Sequence, residues 1–146
     1  MNNEDLRAVS QRVVKVLLIS PFDEDHQHLR DILKHSNWQQ HGVHALGEAS
    51  DFLVENVTPV VICESELPDG SWRDVLSQFG RMQRPPVLVV TSRLADDRLW
   101  SEALNLGAYN VLAKPLNTKE VFHVVGLAWM SWKRRSERAP ALAMSA

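Results

Sequence analysis

The sequence predicts an α/β fold in which five strands form one parallel sheet with helices on both faces. Two observations carry this. Five short apolar runs, residues 13–20, 43–46, 60–64, 87–91 and 109–113, punctuate the chain. Three of them are almost wholly apolar and β-branched, as strands covered on both faces must be. Between the runs lie segments with apolar residues at helical spacing, so strand and helix alternate five times. That alternation implies right-handed crossovers and helices on either side of the sheet.

Each element has its own signal. After the first run, Leu29, Ile32 and Leu33 mark a helix with Asp23 and Glu24 in its first turn, where a helix N-terminus favours acids. Phe52, Leu53 and Val57 mark the second helix. The third strand, VVICE, ends in Glu64 and meets a Pro-Asp-Gly turn at residues 68–70. The third helix carries Trp72, Val75, Leu76 and Phe79, with Ser71 and Asp74 spaced as a capping pair. The fourth has Asp96 and Asp97 at its start, Leu99, Ala103 and Leu106 on one face, and Gly107 as its stop. The fifth begins near Asn117 or Thr118 and runs through Trp132.

A chain of 146 residues suits one domain with a real core. We place that domain at residues 13–135, between flexible extensions at 1–12 and 136–146. With one helix after the last strand, no effector domain is expected. A net charge of −2 argues against a surface built to coat nucleic acid or anionic membrane. The first residues lack a secretory signal, and no apolar stretch approaches a membrane span. The single cysteine, Cys63, excludes an internal disulfide and suits a reducing cytoplasm. It reads as a buried core thiol.

In parallel sheets of this kind, function gathers at the carboxyl ends of the strands, near the topological switch point. The residues there are 20–24, 64–66, 91–92 and 114–115. Taken together, the VVICE strand with its PDG turn, Thr91 at the end of the fourth strand and Lys114-Pro115 after the fifth resemble the receiver domain of bacterial response regulators. The resemblance covers roughly residues 13–133. It implies the (βα)5 flavodoxin-like receiver fold and a place in two-component or phosphorelay signalling. It also implies a hydroxyl and a lysine that contact a phosphoryl group, and a cis Lys114–Pro115 bond.

Three departures from that pattern govern the functional expectation. Where the family places two acidic residues to hold Mg²⁺, this chain has Ser20 and Pro21. Magnesium relies on one or two carboxylates, so its binding is expected to be weak or lost; Asp23 and Glu24 lie nearby but read as first-turn acids. The phosphoacceptor position holds Glu64 in place of aspartate, a side chain about 1.5 Å longer. It can pair there with Lys114 and Thr91 without any transfer chemistry. The switch position, usually aromatic, is Val111, with Tyr109 two residues earlier on the same strand face by the period of two.

Six histidines invite a zinc reading, but His26 and His28 are two apart and do not share a helix face, and His41 and His44 flank a short strand. No cysteine or carboxylate framework accompanies them, so no metal is expected. The run VFHVVGLAWMSW is apolar at more positions than one buried helical stripe requires, so some of Phe122, Trp129, Met130 and Trp132 are expected to face outward, and with Trp100 and Tyr109 they are the interface candidates. Aromatics and Met are enriched in interface cores. In receivers the face made by the fourth helix, fifth strand and fifth helix is the usual dimer or partner surface. The basic cluster KRRSER, residues 133–138, suits a helix C-terminus and lacks the stacking aromatics of a nucleic-acid reader.

The expected function is therefore a stand-alone, non-enzymatic protein-interaction module, cytoplasmic and largely independent of phosphorylation. Its partners would be signalling proteins, a histidine kinase or regulator among them, or a second copy. The alternative is a working Mg²⁺-dependent phosphoacceptor served by a histidine kinase. A flavodoxin-like cofactor binder would need a glycine- and hydroxyl-rich cradle after strand one, where SPFDED supplies acids.

Overall fold

The computed structural model describes residues 13–145, so the expected N-terminal extension, residues 1–12, lies outside the described residues. Five strands form one parallel sheet: β1 (Val14–Ile19), β2 (Trp38–Val43), β3 (Val60–Glu64), β6 (Val87–Ser92) and β7 (Asn110–Ala113). Two further strands, β4 (Glu66–Leu67) and β5 (Gly70–Ser71), pair antiparallel as a small hairpin around the Pro-Asp-Gly turn. The helices are α1 (Asp23–Leu33), α2 (Leu46–Glu55), α3 (Trp72–Phe79), α4 (Asp97–Leu106) and α5 (Thr118–Ser145).

The sheet order is β2-β1-β3-β6-β7, which agrees with the predicted fold class. The chain steps outward from β1 to β2, then returns past β1 to β3, so the switch point lies between β1 and β3. The period of two along the central strands divides the core in two. Leu17, Ile19, Val61, Cys63, Leu88 and Val90 pack under α2, α3 and α4. Val16, Leu18, Val60, Ile62, Val87 and Val89 pack against α1 and α5.

Helix ends follow local chemistry. Ser71 and Asp74 form a reciprocal capping box at α3, and Asp96 accepts from Leu99 N at α4. Gly107, at φ 113°, ends α4 in the left-handed region where a side chain would be strained. The N-terminus of α2 is capped from a distance. Asp69 of the Pro-Asp-Gly turn accepts from Leu46 N at 2.7 Å and Gly47 N at 3.0 Å. These backbone donors hold the Asp69 carboxyl below its ordinary pKa.

The structure corrects three expectations. The second strand is residues 38–43, not 43–46, because WQQHGV forms a sheet edge whose outward positions are polar and carry no apolar run. The fifth helix does not stop at Trp132. It continues to Ser145 through KRRSER, a stretch dominated by straight-chain residues that propagate a helix readily, so residues 136–145 are helical where a flexible tail was expected. Tyr109 and Val111 do not share a face. Val111 is buried on the α3–α4 side, whereas Tyr109 packs against the α1–α5 side. Tyr109 precedes β7, so the strand period does not extend to it.

Candidate functional site

The carboxyl ends of β1, β3, β6 and β7 meet in one pocket. Glu64 is the last residue of β3, in register with Thr91 of β6, and both side chains are buried. Ser20 follows β1 and is fully buried. Lys114 follows β7, with its Nζ carried back over the sheet end and the Lys114–Pro115 bond cis, as the resemblance implies.

The charged centre is a triad. Lys114 Nζ lies 2.7 Å from Glu64 Oε2 and 2.9 Å from Asp25 Oδ2. All three side chains are more than nine-tenths buried. The aligned hydrogen bond from the ammonium goes to Asp25. The contact with Glu64 is the shorter of the two and pulls that carboxyl's pKa down by hydrogen bonding and charge. Ser20 Oγ donates to the same Asp25 Oδ2 at 2.6 Å and accepts from Phe22 N at 3.1 Å. Phe22 roofs the pocket, its ring 4.7 Å from Lys114 Nζ, a spacing at which a cation is attracted to the ring face.

Burial pushes the Glu64 carboxyl above its ordinary pKa, and Lys114 pulls it back. Cys63, on the opposite face of β3, is fully buried, and burial pushes its thiol well above the usual range. The reading of an inert core thiol fits this environment.

The expected carboxylate neighbours sort differently from the sequence order. Asp23 pairs with His44 at 2.9 Å, and Glu24 pairs with Arg93, both at the surface. Asp25, the third of three consecutive acids, is the one that turns into the pocket. Sequence reasoning missed it because all three suit a helix N-terminus equally well. The available signal was Ser20, which is too short to fill the space that a family acid would occupy. Pro21 supplies no polar group. Thr91 is also placed differently from expectation: its hydroxyl donates to Leu112 O at 3.0 Å across to β7, not to Glu64. It ties the two strands together.

His26 is likewise buried, with Nε2 2.8 Å from Ser20 O and its ring 4.6 Å from that of His44. Gly42 makes room for it, since a Cβ there would lie 2.4 Å from His26 Nδ1. His28 lines a neighbouring cavity of about 340 Å³ with Glu24, Asp25, Arg93 and Lys114. Among the described residues, no group of three or more His, Cys, Asp or Glu side chains could hold a metal ion.

The aromatic residues divide. Tyr109, Phe122, Trp129 and Trp132 are half-buried against the α1–α5 core, and Trp129 meets Trp38 edge-on at 6.4 Å. Trp100 and Met130 are exposed, and the structure adds Leu104 and Leu127, spaced from them by one helical turn. These four belong to α4 and α5, which flank the edge strand β7.

This architecture is that of a known class. The signal receiver domain of an HD domain-containing protein from Pseudomonas fluorescens Pf-5 is similar to this chain at a TM-score of 0.79 and 21% identity, over 87% of this chain and 94% of that one. A response regulator receiver domain protein from Clostridium thermocellum matches at 0.75 and 20% identity, over 83% and 98%. The beryllofluoride-activated NtrC4 receiver domain dimer, solved in solution, matches at 0.75 and 20% identity, over 81% and 98%. The fold is that of response-regulator receiver domains. No family model matches the sequence, and no curated protein matches it. Among the described residues, no helix is long and apolar enough to cross a membrane.

Proposed function

We propose that this chain is a receiver-type protein-interaction module of bacterial two-component signalling that works largely without phosphorylation, in the cytoplasm and without enzymatic turnover. The observation that carries the reading is the closed triad. The glutamate in the acceptor position is already paired with the lysine that would otherwise contact a phosphoryl oxygen.

The magnesium ion that the receiver fold implies does not fit the residues present. Asp25 and Glu64 supply two negative charges and Lys114 returns one. A dication would leave the pocket net positive, with no carboxylate free to offset it. Phosphoryl transfer depends on positioning and on neutralising the developing charge, and both carboxylates of this pocket are already engaged by Lys114.

Incubation with acetyl phosphate and Mg²⁺, followed by intact-mass measurement, is expected to return the unmodified mass. An added phosphoryl group that disappears in Glu64→Gln would overturn the reading and favour the working phosphoacceptor.

For partners, the exposed side chains Trp100, Leu104, Leu127 and Met130 support a second copy seated on the α4–β7–α5 face. The similar NtrC4 receiver domain is itself a dimer. Sedimentation is expected to give a dimer for the unchanged chain and a monomer for Met130→Glu. Identical profiles for the two would rule this surface out as the contact. The net charge of −2 supports neither a nucleic-acid nor an anionic-membrane partner.

A further inference from the structure

We infer that the Lys114 ammonium, clamped between Asp25 and Glu64, is the permanent cation of this pocket, and that Asp25 is the positioning residue that holds it there. The inference deepens the proposed reading and rests on it, because it says what replaces the divalent ion.

Three observations converge on the same atoms. Lys114 Nζ touches one oxygen of each carboxylate, at 2.7 and 2.9 Å, with 5% of its side chain exposed. Two carboxylates bridged by one compact cation is the arrangement a divalent ion would otherwise create. Asp25 reaches the pocket from the first turn of α1, not from the end of β1. Its Oδ2 is fixed by two donors, Ser20 Oγ and Lys114 Nζ. Ser20 is therefore no mere loss of an acid: its hydroxyl orients the acid that arrives from the helix. Glu64 Oε2, also buried, meets the same ammonium from the other side at 2.7 Å. Of the two carboxylates, Asp25 is the one whose oxygen is also held by a second side chain, Ser20. Removing Asp25 would leave Lys114 free to follow Glu64, whereas removing Lys114 would leave two buried carboxylates facing one empty cation position.

The test titrates Mn²⁺ into the unchanged chain, Lys114→Met, and Lys114→Met combined with Asp25→Asn. The readouts are broadening of the amide signals of residues 20, 22–25 and 64, and the melting temperature. The unchanged chain is expected to show no saturable broadening. Lys114→Met is expected to gain saturable binding with a rise in melting temperature, and the double variant to bind at least about tenfold more weakly, as loss of one of two charged ligands implies. Saturable binding by the unchanged chain, or no gain in Lys114→Met, overturns the inference.

Acylation rates of the five lysines cover the case in which Lys114→Met does not fold. Lys114 is expected to react slowest in the unchanged chain and about tenfold faster in Asp25→Asn. Equal rates in the two proteins count against Asp25 as the residue that positions the ammonium. The outcomes also separate the two readings. A chain that binds Mn²⁺ yet takes no phosphoryl group sinks the permanent cation and leaves the interaction module standing. A chain that is phosphorylated sinks the module itself.

Discussion

Replacing Lys114 with methionine is expected to cost about 3–5 kcal/mol of stability at neutral pH, the range for breaking a buried ion pair from one side. The side chain is 5% exposed and its two partners are nearly as buried, so both carboxylates would be left without their counter-charge. The loss is expected to depend on pH, and the sign is fixed by which form the pocket tolerates. Burial already raises the Glu64 carboxyl in the native state. A carboxyl with a raised folded pKa binds more protons in the native than in the unfolded chain, so stability falls as pH rises from its ordinary value, near 4.5, through the raised one. Without the ammonium only the more distant Arg93 charge opposes that rise. The penalty of Lys114→Met is therefore expected to be largest at neutral and alkaline pH and to shrink in acid, where the carboxyls become neutral. Urea unfolding of the two proteins at a series of pH values measures it. A difference that stays constant with pH would show that Lys114 acts through packing of its stem and not through charge.

How much of this was legible from the residues alone follows from whether the signal was local. The three inner strands announced themselves because strands covered on both faces must be apolar throughout. The Ser71–Asp74 box and Gly107 were legible because a cap is a contact between near neighbours. The second strand was misplaced because a sheet edge does not need an apolar run. At the site, Glu64 and Lys114 were legible as positions, and the expected ion pair between them is present. Asp25 was not, because Asp23, Glu24 and Asp25 are equivalent to any rule that looks only along the helix. What distinguishes them is where their partners come from. Asp23 meets His44 of the β2–α2 connection, Glu24 meets Arg93 beyond β6, and Asp25 meets Lys114 from beyond β7. The same holds for Asp69, a turn residue whose carboxylate caps a helix that begins more than twenty positions earlier.

Trp72→Ala is expected to destabilise the fold by about 3–5 kcal/mol, the range for truncating a buried aromatic, and to do so equally at every pH. Of the five tryptophans, only Trp72 is fully buried, at 1% exposure. It is the first residue of α3, directly after the Ser71 cap, and its backbone N–H donates to Ser65 O at 3.2 Å. Ser65 N in turn donates to Thr91 O at 2.9 Å. The indole packs into the core on the α2–α4 side of the sheet, where the backbone ties the loop between β3 and α3 to β6. No titratable partner of the triad touches it in the hydrogen-bond and ion-pair network, so its loss removes contact area and leaves a void without changing any proton equilibrium. The pair of variants separates two contributions that share one pocket. If Lys114→Met weakens with acid while Trp72→Ala does not, the triad is held by charge and the floor beneath it by packing. If both vary with pH in parallel, Trp72 is coupled to the protonation of Glu64, and the pocket cannot be divided into a charged centre on an inert support. Urea midpoints at matched pH, with the slope of unfolding checked for constancy, decide between the two.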